Sequence, residues 1–133
     1  MKEALDFLQE NSSGFLATVD GGLPKVRPFQ FMLEEGGKLY FCTNNTKDVF
    51  KQMKANPHIE FCSSTPKFSW IRLSGEAKFS DDLAIKGKIL EGNGLVKSIY
   101  KSADNPIFEI FYVEHGTAVI ADFSGQPPRK ITF

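Results

Sequence analysis

Apolar and polar positions alternate in short runs broken by turn residues, and helical spacing appears in only a few stretches. In residues 2–11, Ala4, Leu5, Phe7 and Leu8 lie on one side with charges opposite, which predicts a short helix. Asn11-Ser12-Ser13-Gly14 breaks it. Phe15 to Val19 is a predicted strand, and Asp20-Gly21-Gly22 is a hairpin turn signal. Leu23 to Leu33 follows as one long second strand, with Pro24 at its start and Pro28 inside it. An internal proline implies an edge, a bulge or a kink. Glu34-Glu35-Gly36-Gly37 is a second predicted turn.

The stretch Lys38 to Cys62 reads as strand, polar loop, helix and strand. Leu39, Tyr40 and Phe41 form an apolar run of strand type. Thr43-Asn44-Asn45-Thr46 supplies side chains able to cap a helix or bind an anion. From Lys47 the spacing is helical, with Val49, Phe50 and Met53 on one face, until Asn56-Pro57 ends it. Between Phe68 and Phe79, Ile71 and Leu73 alternate with Trp70, Arg72, Ser74 and Glu76, whose face meets solvent or an interface. Asp81 or Asp82 can cap a helix through Leu83, Ile85, Ile89 and Leu90. Glu91-Gly92-Asn93-Gly94 interrupts that helix, and Val96 to Tyr100 adds a further turn. Residues 107–113 and 117–121 form a last hairpin, and the Gly- and Pro-rich tail from Phe123 lies over the surface or a partner subunit. About six strands in hairpin order with two or three helices describe one α+β, mainly β domain over residues 1–133. The strands would form a small antiparallel barrel, closed to protect its edges.

Composition narrows the function. A hydrophobic content of 41% with 24% charged residues belongs to a folded chain, neither disordered nor membrane-like. Sixteen basic and sixteen acidic residues cancel, which argues against broad binding of nucleic acid. Thirteen phenylalanines point to an aromatic-lined core or interface. Acidic residues stand where the apolar run of a leader would lie, and no window suits a membrane span. Two cysteines in strands and two distant histidines make no metal pattern. The expectation is a reduced, cytoplasmic protein.

No nucleophile-and-base set and no phosphate-binding glycine loop is present. Any redox or group-transfer chemistry would come from a cofactor. Lys47 is the residue that stands out. A cation in the first turn faces the positive end of the helix dipole, so it is either a solvated lysine beside ordinary caps or part of an anion site.

Taken in order, Lys25-Val26-Arg27-Pro28-Phe29-Gln30, the FCTNNTK stretch, a helix closed by Ala-Asn-Pro and the strand Trp70-Ile71-Arg72-Leu73-Ser74-Gly75 resemble a known family. It is the FMN-binding split-barrel proteins of the pyridoxamine 5′-phosphate oxidase-like superfamily, in its short NimA/NimC-type branch. The resemblance spans roughly residues 1–125, and the order of several segments carries it. It implies a six-stranded split barrel that binds FMN at the interface of a homodimer. Arg27 would reach the phosphate or ribityl chain, and Phe29 and Gln30 would run along the flavin ring. Cys42, Thr43 and Asn44 would lie beside the ring and ribityl chain, with Thr46 and Lys47 as the phosphate clamp. Trp70 and Arg72 would come from the second subunit.

Two departures qualify what the family implies. The clamp carries Thr46-Lys47 where the oxidases often have two basic residues, and the tail holds no counterpart of their substrate-binding arginine and histidine. Pyridoxamine phosphate oxidation is therefore not expected. The expected activity is electron transfer from a reduced nicotinamide to a small acceptor: a nitro compound, a quinone or oxygen. The alternative is a module that binds or senses a flavin or another phosphorylated ligand without turnover.

Overall fold

The computed structural model describes all of residues 1–133. The first helix, α1 (Lys2–Glu10), precedes strands β1 (Ser13–Asp20), β2 (Leu23–Gln30), β3 (Leu33–Glu35) and β4 (Lys38–Asn44). Helix α2 (Asp48–Ala55) leads to β5 (His58–Ser64), β6 (Trp70–Glu76) and β7 (Lys78–Ser80). Helices α3 (Leu83–Gly92) and α4 (Gly94–Tyr100) are followed by β8 (Phe108–Val113), β9 (Thr117–Ala121) and β10 (Arg129–Thr132). The strands form two antiparallel sheets, in the orders β10-β9-β6-β5-β1-β2 and β3-β4-β8-β7. The architecture is the expected α+β split barrel.

Two expectations about the strands need correction. The sheets do not close on each other, and there are ten strands rather than six. The predicted strand Leu23 to Leu33 is cut at Phe31-Met32, whose N–H groups donate to Ser12 O and Tyr40 O at 2.8 and 3.0 Å. The chain thereby passes from one sheet to the other. The predicted strand Phe68 to Phe79 is cut in the same way at Ala77, whose N–H donates to Pro57 O at 2.8 Å. Alternation alone cannot show such a transfer, because apolar residues continue on both sides of the break. Pro28 lies in β2, an edge strand, where its missing N–H interrupts no ladder. The tail carries β10, which pairs with β9, and Ile131 and Phe133 pack against the main core.

That core fills the space between the sheets. Leu16, Phe41, Phe61, Ile71, Leu73 and Phe111 are all but fully buried there, with Ala4 and Leu8 of α1 and Val49 and Met53 of α2 packed in the same cluster. Each such large side chain contributes about 1.5–3 kcal/mol relative to exposure. A second cluster lies on the other face of the smaller sheet, where Tyr40, Phe108 and Ile110 meet Ile85, Ile89, Leu90, Val96 and Tyr100. Strand β4 is thus covered on both faces, which explains its unbroken Leu-Tyr-Phe run.

Two caps place the helices of that second layer. Asp82 Oδ1 accepts from the N–H groups of Ala84 and Ile85 at 2.9 and 3.3 Å and starts α3. Asn93 Oδ1 accepts from Val96 N–H at 3.1 Å and starts α4. Asn93 therefore ends one helix and caps the next. No helix is long and apolar enough to cross a membrane.

Candidate functional site

Where the ends of β1, β2 and β4 meet the head of α2 and one face of α4 lies a cavity of about 470 Å³. Of the residues singled out in the sequence, Phe29, Gln30, Cys42, Thr43 and Lys47 line it. Gly14 lines it too, and the fold requires glycine there. A Cβ would run into the Cys62 carbonyl oxygen and lie 2.9 Å from the Phe61 ring.

Thr43 is 3% exposed, and its Oγ1 has no hydrogen-bond partner. Such a buried, unpaired hydroxyl is unfavourable by about 1–3 kcal/mol. Cys42 beside it is pushed up to about 12 by burial, with Lys47 acting weakly the other way. The thiol is therefore protonated and inert at neutral pH.

Lys47 occupies the position just before α2, in extended conformation, and no side chain caps the helix. The loop was expected either to cap the helix or to bind an anion, and it supplies no cap. Instead Asn44 Oδ1 accepts from Thr46 N–H and Thr46 Oγ1 at 2.8 and 2.7 Å, closing a local turn two residues on. Asn45 Nδ2 donates across to Pro106 O at 2.8 Å. The first amide N–H groups of α2 are left to an external acceptor.

Arg27 does not line the cavity. It lies on the inner face of β2 opposite buried Leu16 and donates to Leu16 O, Thr18 Oγ1 and Gln52 Oε1 at 3.1, 2.8 and 2.7 Å. Burial pulls its guanidinium below the usual value. Asn44 and Thr46 also stand outside the lining and shape the loop. Trp70 and Arg72 share the outer face of the larger sheet with Phe15 and Cys62. There Trp70 packs on Phe123 with ring centroids 5.0 Å apart, and Arg72 pairs with Glu60 at 2.8 Å. Within one chain neither reaches the cavity.

Sequence reasoning missed much of the wall. Phe15, Leu95, Val96, Ile99 and Tyr100 line the cavity, four of them from α4. Leu95 and Ile99 are 70% and 58% exposed although apolar. Their i, i+4 spacing beside Val96 and Tyr100 makes α4 apolar on two faces, a signal that a short surface helix does not need. His58 and His115 line a separate polar cavity with Glu76 and Glu114. No three His, Cys, Asp or Glu side chains converge as a metal site would require.

The family model described as pyridoxamine 5′-phosphate oxidase matches residues 1–114. The chain belongs to the pyridoxamine 5′-phosphate oxidase family. Similar solved structures include a NimC/NimA family protein from Clostridium acetobutylicum, at 41% identity and TM-score 0.91 over 100% of this chain and 92% of that one. An FMN-binding, pyridoxamine 5′-phosphate oxidase-related protein from Nostoc punctiforme matches at 19% identity and TM-score 0.72 over 97% and 87%. A haem-binding protein from Mycobacterium smegmatis matches at 18% identity and TM-score 0.79, over 98% of this chain and 56% of that one. The last two show a shared fold. No curated protein matches. This family member thus has the split barrel of its relatives, and its cavity has one cationic, hydrogen-bonding end and one apolar wall.

Proposed function

We propose that the chain binds FMN in this cavity and is an oxidoreductase passing electrons from a reduced nicotinamide to a small acceptor such as a nitro compound, a quinone or oxygen. The observation that carries the reading is the unpartnered, buried Thr43 hydroxyl near Lys47 at the polar end of a cavity whose opposite wall is the apolar face of α4. A phosphorylated, planar aromatic ligand suits that combination. Lys47, Thr46 and the free amides of α2 would hold the phosphate, with Arg27 behind them. Phe29, Gln30, Cys42, Thr43 and Asn44 would border the ring and ribityl chain. Bound FMN supplies the redox chemistry.

Lys47 is the one charged side chain lining the cavity. Once it is engaged by the flavin phosphate, a second phosphorylated ligand finds no counter-charge there. This supports an uncharged acceptor over pyridoxamine phosphate. Haem, which the mycobacterial neighbour raises, is poorly served. Both histidines line another cavity, and burial raises both the Cys42 thiol and the Tyr100 phenol away from the anionic forms that ligate iron.

The working unit in this reading is a homodimer. Phe15 and Val26 are 57% and 67% exposed on the outer face that also carries Trp70 and Arg72, a surface suited to an isologous partner.

The test is a visible absorption spectrum of the purified protein before and after FMN is added and the excess removed. Anaerobic addition of NADH or NADPH follows. Retained flavin that bleaches supports the oxidoreductase. Retained flavin that stays yellow leaves a flavin-binding or sensing module, and a protein that cannot be reconstituted refutes the cofactor assignment.

A further inference from the structure

Of the three arginines, Arg72 and Arg129 are exposed and paired with Glu60 and Glu3. Arg27 is more buried and pairs with no carboxylate. Its three acceptors are neutral, so its charge is held in place and not cancelled.

The way it is held is specific. Nη1 donates to Leu16 O and Thr18 Oγ1, and Nη2 donates to Gln52 Oε1. Thr18 Oγ1 in turn donates to Gln52 Oε1 at 2.6 Å. The two acceptors facing the end of the guanidinium fork are therefore tied to each other. A guanidinium has five N–H bonds in a rigid plane. Three are taken, and the Nε–H and the second Nη2–H, side by side on one edge, have no protein acceptor. That edge is the arrangement by which arginine grips a phosphate with two parallel hydrogen bonds.

Thr18 is 2% exposed, and its hydroxyl is fully engaged, accepting from Arg27 and donating to Gln52. Gln52 lies in α2, the helix whose uncapped first turn follows Lys47. The network thus ties β1 and β2 to the helix that bears the candidate phosphate site.

We infer that Gln52 and Thr18 are positioning residues: they clamp the end of the Arg27 fork so that its free edge is presented to the phosphate of the flavin. The inference rests on the FMN reading above and adds two residues to it. Neither touches the ligand. Both act through Arg27, and their effect depends on the ligand carrying a phosphate.

Riboflavin, which lacks the phosphate, separates this role from a merely structural one. The flavin-free protein is titrated calorimetrically with FMN and with riboflavin, for the wild type and for Gln52→Leu. The expected result is a wild type that prefers FMN and a variant whose FMN affinity falls roughly tenfold, the scale of one charge-assisted hydrogen bond. Riboflavin affinity should stay within about twofold, since no phosphate contact is involved. Thr18→Val, which keeps shape and strand preference, is the second variant should Gln52→Leu fold poorly, and the same change in ratio is expected. A variant that loses both flavins equally, or neither, overturns the positioning role. A wild type that does not prefer FMN over riboflavin removes the phosphate site itself, a failure visible before any variant is made.

Discussion

Replacing Thr43 by valine should make the flavin-free protein more stable and bind FMN less well. The hydroxyl is buried at 3% exposure with no partner, so the native state carries its desolvation uncompensated. Valine has nearly the same shape, favours strands, and brings a methyl group where the oxygen was. Removing the unsatisfied group should contribute about 1–3 kcal/mol. For 133 residues at about 2.1 cal/mol/K each, the unfolding entropy is about 280 cal/mol/K, so each kcal/mol raises Tm by about 4 °C. Thermal unfolding of wild type and variant, both stripped of flavin and followed by circular dichroism, reads the shift. A ligand stabilises the native state by RT ln(1 + [L]/Kd), so excess FMN should narrow or reverse the variant's advantage. A flavin-free variant less stable than wild type would show that the hydroxyl has a partner in the native state, and the site argument built on it would fall.

Three further outcomes test separate links. Gly14→Ala should lower stability by about 1–3 kcal/mol or more, because the new Cβ collides with the Cys62 carbonyl and forces β1 from β5; an unchanged denaturation midpoint would contradict the packing. Cys42, pushed up from 9.0 to about 12, keeps its proton in the native state while the unfolded chain loses it. Its contribution is therefore lost as pH rises from about 9 towards 12, at up to about 1.4 kcal/mol per pH unit. Cys42→Ala should flatten that slope, and iodoacetamide at pH 8 should label Cys62 well before Cys42, as mass spectrometry would show. Val26→Glu, placing a charge on the outer face, should convert a dimer to a monomer in light scattering without loss of fold; a variant that elutes unchanged would count against that face as the interface.

The sequence made the elements legible more readily than their assembly. The first helix, the Asp20-Gly21-Gly22 hairpin, an edge, bulge or kink at Pro28 and a cap at Asp81 or Asp82 follow from local chemistry; the structure has the first two, puts Pro28 on an edge strand and makes Asp82 the cap. What local pattern does not carry is the passage of a chain between sheets. Phe31-Met32 and Ala77 sit inside apolar alternation, and their N–H groups turn to Ser12, Tyr40 and Pro57, partners set only by the tertiary fold. Strand β10 was hidden for another reason. Four residues, Arg129 to Thr132, show no alternation, and the strand exists because β9 offers an unpaired edge. The site divides in the same way. Thr43 and Lys47 stood out because an odd lysine and a polar loop sit at a helix start, whereas Cys42 entered only through the family resemblance. The α4 wall did not stand out, because Leu95 and Ile99 become informative only once the cavity beside them is known.

The fold's treatment of its other buried hydroxyls gives the Thr43 observation its weight. Thr18 is tied to Arg27 and Gln52, and Ser63 donates to backbone carbonyls of Asn11 and Ser13. Thr43 is the exception, and it lies in the cavity. Two other unfavourable features touch α2, one at its start and one at Gln52 in its second turn. Lys47 stands at the positive end of the helix dipole with only Asp48 to offset it, a term of about 0.3–1 kcal/mol. Arg27, linked to α2 through Gln52, keeps its charge partly buried without a carboxylate. Taken singly, each is ordinary. Their gathering on β4, β2 and the head of one helix is not what packing alone would select, because a valine, an acidic residue and a carboxylate partner would each have been more stable locally. In the proposed reading, a bound phosphate would offset the charge of Lys47, with Arg27 behind it, and the flavin would lie beside Thr43. If FMN is the ligand, the flavin-free chain would hold back stability that binding restores, and single stabilising substitutions here should cost affinity.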